Sequence, residues 1–170
     1  MAPPTLTSFT PTDNATGEAV TVNIVLNFSE SVTAVSGKNI TIKKTSDDSV
    51  VATINATDGQ VSGSGSSTIT INPTTNLAFN TEFYVNIEAG AFKNAGDEDY
   101  AGITNNSTFS FTTVDATLPT LSSILPKGID NITKPTIVLT FSETVVAGSG
   151  NITIKQLIDD TVIQTIAVGS

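Results

Sequence analysis

"NITIKKTSDDSVVATI" (residues 39–54) and "NITIKQLIDDTVIQTI" (residues 151–166) are two writings of one line, set 112 residues apart. Each places isoleucines at alternate positions: Ile40 and Ile42 in the first copy, Ile152 and Ile154 in the second. A period of two describes a strand with one face on a core and the other in water. An Asp pair follows, Asp47–Asp48 and Asp159–Asp160. Short carboxylate side chains of this kind fold back on their own backbone and favour a turn. A second apolar run closes each copy. The line therefore reads as two strands joined by a turn, and its duplication marks a chain built from repeats.

The duplication extends on both sides. "PTLTSFTP" (residues 4–11) returns as "PTLSSILP" (residues 119–126), and "IVLNFSESV" (residues 24–32) as "IVLTFSETV" (residues 137–145). The offset slips only between residues 11 and 24 and between 32 and 39, where loops are expected. A repeat of about 110 residues is a whole domain, since solenoid units run to roughly 20–50. The predicted partition is a complete domain at 1–113, a linker at 114–116, and the N-terminal half of a second domain at 117–170.

Composition narrows the chemistry. Only 14% of residues are charged, with 16 acids against 7 bases and a net charge of −9; every base is Lys. Without Arg the chain lacks the planar fork that reads phosphates and base edges. With so acidic a balance, nucleic acid is excluded as a partner. The chain has no Cys and no His, which removes thiol nucleophiles, Cys–His zinc sites and Ser-His-Asp triads. No stretch reaches the ~18–20 apolar residues of a membrane-spanning helix, so no membrane insertion is expected.

Alternation recurs through the first repeat. Strands are predicted at about 5–9, 20–28, 39–44, 50–55, 67–72, 81–88 and 108–113, with a single helical turn near 88–92. Turn signals separate them: "PTDNATG", "SGKN", "TSDD", "TDGQVSGSGSS" and "NPTTN". Gly63 and Gly65 of "VSGSGSS" read as a flexible loop, because no Lys follows them as a phosphate cradle requires. About seven short strands in such a length argue for an all-β, immunoglobulin-like Greek-key sandwich. The Cys pair and buried Trp of antibody domains are absent.

The series "P.L....P.DNATG", "I.L.FSE.V", "G.NITI", "ITI.P...L...T.FYV.I..GAF" and "YAGI......FSFTT" resembles the bacterial Ig-like repeats of S-layer proteins and large surface adhesins. The resemblance covers the first repeat and the opening half of the second. It implies an extracellular, modular, non-enzymatic protein at the bacterial cell surface, acting as spacer or stalk. It also leaves open an adhesin or carbohydrate-binding module using the loops after 20–28 and after 81–88, or an accessory module of a secreted hydrolase. Family members often write Asp-x-x-Gly-Asn after "GAF". This chain has "KNAGDEDYAG" (residues 93–102), with Asn94 at the Asp position and Gly96 one place early.

The densest acid cluster is Asp97, Glu98 and Asp99. Strand parity puts Glu30, in "FSES", at the same pole of the sandwich, and Asp13 with Asp47–Asp48 at the other. In a tandem array Asp115 of the linker would approach Glu143, the counterpart of Glu30. Loops that gather carboxylates and carbonyls suit Ca²⁺, which takes several oxygens at once. Glu30, Asp97, Glu98, Asp99, Asp115 and Glu143 are thus candidate ligands for a structural Ca²⁺, and no cofactor is otherwise required. No EF-hand spacing is present. No catalytic residue is identified: the carboxylates lack an aromatic sugar platform, with no Trp and two Tyr.

The second repeat stops after its fourth strand. Half a sandwich exposes sheet faces and unpaired edges. The expected partners are therefore neighbouring repeats of the same chain, another copy associating through residues 117–170, and a surface glycan or protein.

Overall fold

The computed structural model describes residues 2–126 and 136–169; Lys127 and Lys134 fall outside them. The described residues are all-β, and the chain divides into units 1–116 and 117–170. The first unit is a sandwich. Its strands are β1 (Leu6–Thr10), β2 (Ala15–Glu18), β3 (Ile24–Ala34), β4 (Asn39–Lys44), β5 (Val50–Asn55), β6 (Val61–Ser62), β7 (Ser66–Ile71), β8 (Glu82–Ile87), β9 (Phe92–Lys93) and β10 (Ser110–Thr113). One sheet has the order β1-β3-β7-β6, with β9 also on β3; the other has the order β2-β10-β8-β4-β5.

Alternation decides which side chains meet. Ile24, Leu26 and Phe28 of β3, Ile40 and Ile42 of β4, Ile69 and Ile71 of β7, and Phe83, Val85 and Ile87 of β8 are all buried. Phe109 and Phe111 complete this core from β10 and its approach, and Phe28 stacks edge-on to Tyr100 at 5.2 Å. Each fully buried large side chain contributes about 1.5–3 kcal/mol relative to exposure.

Several short elements depart from the sequence reading. "PTDNATG" is not a plain loop. The first strand switches sheets there, and β2 continues it beside β10. Strand β3 runs on to Ala34, so Glu30 lies within a strand rather than at the entry to a loop. A register shift between Asn27 and Val32 lets the far half of β3 turn toward β9. The predicted helical turn near 88–92 is a β-turn, closed by Ala91 N–H to Glu88 C=O at 3.1 Å with Gly90 at φ 75°. The supposedly flexible "VSGSGSS" contains β6, paired to β7. A Cβ on Gly63, at φ 93°, would lie 2.1 Å from the Thr68 carbonyl oxygen, so this turn is tight and only glycine fits.

The second unit repeats the first in detail. Its strands are β11 (Leu121–Leu125), β12 (Val138–Phe141), β13 (Asn151–Lys155) and β14 (Val162–Ala167). They form the pairs β11·β12 and β13·β14, as β1·β3 and β4·β5 do. The bulge between Leu6 and Ser8 recurs between Leu121 and Ser123. The serine of "FSE" clips the start of the first strand in both copies: Ser29 Oγ accepts from Thr5 N at 3.1 Å and Ser142 Oγ from Thr120 N at 3.0 Å. The Asp turns match as well. Asp48 and Asp160 adopt left-handed φ of 57° and 59°, while Asp47 and Asp159 accept from the backbone N–H groups of Ser49 and Thr161. The shared motifs are thus accounted for by backbone geometry.

Burial separates the units. Ile40 is 0% exposed and its counterpart Ile152 is 39%; Ile54 is 2% exposed and Ile166 is 40%. Among the described residues, nothing in the second unit corresponds to β7, β8 and β10, which cover these positions in the first.

Burial also pushes the pKa of the Tyr100 hydroxyl up to about 12, and the hydrogen bond that the Tyr84 hydroxyl donates to Asp48 raises the pKa of Tyr84. A phenol whose pKa is higher folded than unfolded stabilises the fold below its unfolded value near 10 and loses that contribution as pH rises through the folded value. Alkaline unfolding is therefore expected between about pH 10 and 12, and Tyr100→Phe should move it upward, as read by circular dichroism against pH. Separately, Leu26→Ala should lower unfolding stability by about 2–5 kcal/mol in urea titration.

Candidate functional site

Two places in the first unit combine specific polar contacts with a position at the ends of strands. The first lies where the chain switches sheets. Asp13 Oδ1 accepts from both the backbone N–H and the hydroxyl of Ser110, each at 3.0 Å. Asn14 N–H donates to the Ser110 carbonyl at 2.9 Å. At the far end, Val114 N–H donates to Glu18 C=O at 2.8 Å, and Thr113 Oγ1 donates to Ala78 C=O at 2.6 Å. Between them β2 runs parallel to β10, with Ala15 opposite Phe111 and Glu18 opposite Thr113. The outward-pointing Ser110 is buried because this crossing covers it. An early and a late strand of the unit are thus stapled side by side, pointing the same way.

The second place is the acid-bearing segment 92–100. It is a hairpin stitched to β3, with Tyr100 N–H donating to Phe92 C=O and Lys93 bridged to Asp99. Buried Asn94 organises it. Its Oδ1 accepts from Gly96 N and Glu98 N, both at 3.0 Å. Its Nδ2 donates to the Ala2 carbonyl at 2.9 Å and to Glu30 Oε1 at 3.1 Å. One amide therefore ties the N-terminal segment, β3 and the hairpin turn together, and all its polar atoms are used. A Cβ on Gly102, at φ 82°, would sit 2.4 Å from Ile87 C=O, so the return of the chain onto β8 also requires glycine.

The predicted acids divide accordingly. Glu30 and the Asp97–Asp99 segment do share one end of the sandwich, through Asn94. Asp97 is paired with Lys93, whose ammonium holds the carboxyl below its usual value; the carboxylate in turn raises the Lys93 pKa. Glu98 is held by its backbone and Asp99 lies across from Lys93, with both side chains exposed. Asp115 follows the opposite end of β10, and Glu143 belongs to the second unit. Among the described residues, no group of three or more acids stands close enough to hold a metal ion. Asp13 sits on Ser110, which pairs with Tyr84, and the Tyr84 hydroxyl donates to Asp48 Oδ1 at 2.7 Å.

Asn94 and the Asp13–Ser110 pair are the polar contacts that parity arguments missed. Asn94→Asp should remove both donated bonds and set a carboxylate beside Glu30. The expected loss is about 1–3 kcal/mol near neutral pH. A buried carboxyl facing a second carboxylate titrates above its unfolded value, so the loss should shrink as pH falls through the carboxylate range. Urea titrations of Asn94→Asp and Asn94→Ala at two pH values check this, the alanine variant showing no such recovery.

Comparison with known proteins follows this geometry. A family model described as "Bacterial Ig-like domain" matches residues 1–113. No curated protein sequence matches the chain. Among solved structures, CopC from Methylosinus trichosporium OB3b is similar at 13% identity and a TM-score of 0.47, over 68% of this chain and 97% of that one. The S-layer protein rSbsC(31-844) is similar at 14% identity and a TM-score of 0.41, over 98% of this chain and 24% of that protein, so the chain spans about a quarter of its length. With a two-sheet sandwich within residues 1–116 and a model match over residues 1–113, the chain belongs to the bacterial Ig-like domain family.

Proposed function

We propose that this chain is a non-enzymatic spacer segment of an extracellular bacterial surface protein, and that its first unit bears tension along the chain. The observation that carries this reading is the parallel β2·β10 pairing. Pull on residues before β2 and after β10, and the two strands are drawn in opposite directions along their length. Their hydrogen bonds and the contacts at either end then resist together in shear, rather than opening one after another as in a peeled hairpin. The bonds from Ser110 to Asp13 at one end and from Val114 to Glu18 at the other lie directly on this force path. An extracellular stalk needs such resistance, whereas a soluble enzyme has no use for it. The family membership supports a cell-surface setting, and the absence of Cys leaves the unit without a disulfide to share the load.

Single-molecule pulling on the chain tethered by its ends tests this. Unfolding of the first unit should release roughly 350–400 Å of contour length at about 3.5 Å per residue. The double variant Asp13→Ala, Ser110→Ala should lose about 1–2 kcal/mol at equilibrium and unfold at clearly lower force. A Ser49→Ala variant in the Asp47 turn, off the force path, should leave the force unchanged. Equal forces for all three proteins would refute the load-bearing reading.

A further inference from the structure

The outward face of β4 and β8 carries polar side chains that the fold leaves unused. Alternation buries Ile40 and Ile42 of β4 and Val85 and Ile87 of β8. It therefore turns Thr41, Lys43, Asn86 and, just past β8, Glu88 the other way. A groove of about 410 Å³ opens on that side, lined by Thr41, Lys43, Val50, Asn86, Glu88 and Thr104 among others. We propose that this groove binds an acidic saccharide, with the sugar's carboxylate on Lys43 and its hydroxyls on Thr41, Asn86 and Glu88. Such a site adds to a load-bearing role and does not depend on it.

Strand pairing sets three rungs along the groove. Asn39 faces Glu88, whose carboxylate accepts from the Asn39 backbone N–H at 3.0 Å and from its Nδ2 at 3.3 Å. Thr41 lies opposite Asn86, and Lys43 opposite Tyr84. Successive rungs are two residues apart, so the row from Glu88 to Lys43 runs about 13 Å, room for two sugar rings. The segment after Ile103 closes one side: Ile103 bridges Ile87, and Asn86 Nδ2 donates to Asn105 C=O at 2.9 Å. Val50 of β5, opposite Lys43 and 56% exposed, stands on the other side. Paired strands thus fix the spacing of the polar groups, as a preorganised site requires.

The unused groups define the ligand. Among the described residues the Lys43 ammonium has no ion pair, whereas Lys93 is taken up by Asp97. Lys43 Nζ sits 5.8 Å from the centroid of the Tyr84 ring, and a cation on a ring face keeps its charge for an anion. Asn86 spends its Nδ2 on Asn105, and its Oδ1 receives no donor among the described residues. The hydroxyls of Thr41 and Thr104 likewise have no hydrogen-bond partner there. A wholly apolar ligand would bury these groups unpaired. A nucleic acid would need several cations, and among the described residues no three acids meet to hold a metal ion. A sugar ring presents hydroxyls at its rim and C–H groups on its faces, which suits hydroxyl and amide groups beside Val50. The single cation then selects a sugar that bears one carboxylate at that end.

The test uses the full chain and its backbone amide resonances, with digalacturonate as probe and neutral digalactose as control. Digalacturonate should bind with a Kd of roughly 1 mM and shift the amides of Thr41, Lys43, Asn86, Glu88 and Thr104. Digalactose should bind about tenfold more weakly, the loss expected for a missing charge-assisted hydrogen bond. Lys43→Met keeps an unbranched stem on Tyr84 and removes the charge. It should weaken digalacturonate about tenfold and leave digalactose unchanged. Thr41→Val should weaken both sugars, with circular dichroism unchanged in either variant. No shifts at these residues at high millimolar digalacturonate overturns the proposal. Equal binding of the two sugars overturns it as well, as does digalacturonate binding that survives Lys43→Met or ignores Thr41→Val. Acetate matching digalacturonate in affinity and in the residues shifted would mean a carboxylate on a lysine without a sugar site, and would overturn it too. Should a variant fail to fold, the three ligands compared on the native chain decide.

Discussion

Everything in this molecule depends on covering the inward row of β3 and its counterpart on β4. Ile24, Leu26, Phe28, Ile40 and Ile42 reach zero or near-zero exposure only because two sheets close over them and because each strand is flanked on both edges. A strand with a period of two has one apolar face and one polar face, and it has no stable existence until the apolar face is covered. The second unit shows the same strands without that cover. β12 and β13 keep their pairings, their bulge and their turn, yet Ile152 and Ile166 remain about two-fifths exposed. Local geometry is therefore set by hairpin-level interactions, and burial is set by strands distant in sequence.

This division explains what could be read from the sequence. The hairpin at 39–54 and its copy were legible because every signal in them is local: alternating Ile, an Asp turn and β-branched strands. The sandwich was legible because the same alternation recurs through the first repeat. The sheet switch at Asp13 was not legible. "PTDNATG" has turn composition, and nothing in composition tells a turn that reverses the chain from one that carries a strand into the opposite sheet. Strand β9 and the tail of β3 were missed for a related reason. They pair with each other over two residues, and so leave no periodic trace.

The polar sites were harder still. Parity correctly placed Glu30 near the 97–99 acids, because alternating strand direction fixes which loops share an end. It could not foresee that Asn94 would be the residue joining them. Asn at that position looked like the loss of a carboxylate. In the folded chain it is a gain of donors. An Asp there could accept from Gly96 and Glu98 but could not donate to Ala2 and Glu30. The amide lets a buried side chain satisfy four neighbours of mixed character, which is the condition for burying a polar group without penalty. Similarly Lys93 takes up Asp97 across one hairpin turn, so part of the local acidity is internally matched.

Duplication within one chain also works as a natural control on sequence. Where the two copies agree, as at Ser29 and Ser142 or Asp48 and Asp160, the shared residue has a shared backbone role. Where they differ, the cause lies outside the hairpin. Thr45 of the first copy donates its N–H to Glu82 at the start of β8, and polar neighbours surround it. Its counterpart Leu157 is wholly exposed among the described residues and so is Ile158 beside it. Neither residue helps form the turn, since the turn is the same in both copies. Two large apolar side chains at a solvent-exposed tip cost solubility and return nothing within their own unit. Their cause therefore lies outside the hairpin, in contacts that the turn geometry does not set.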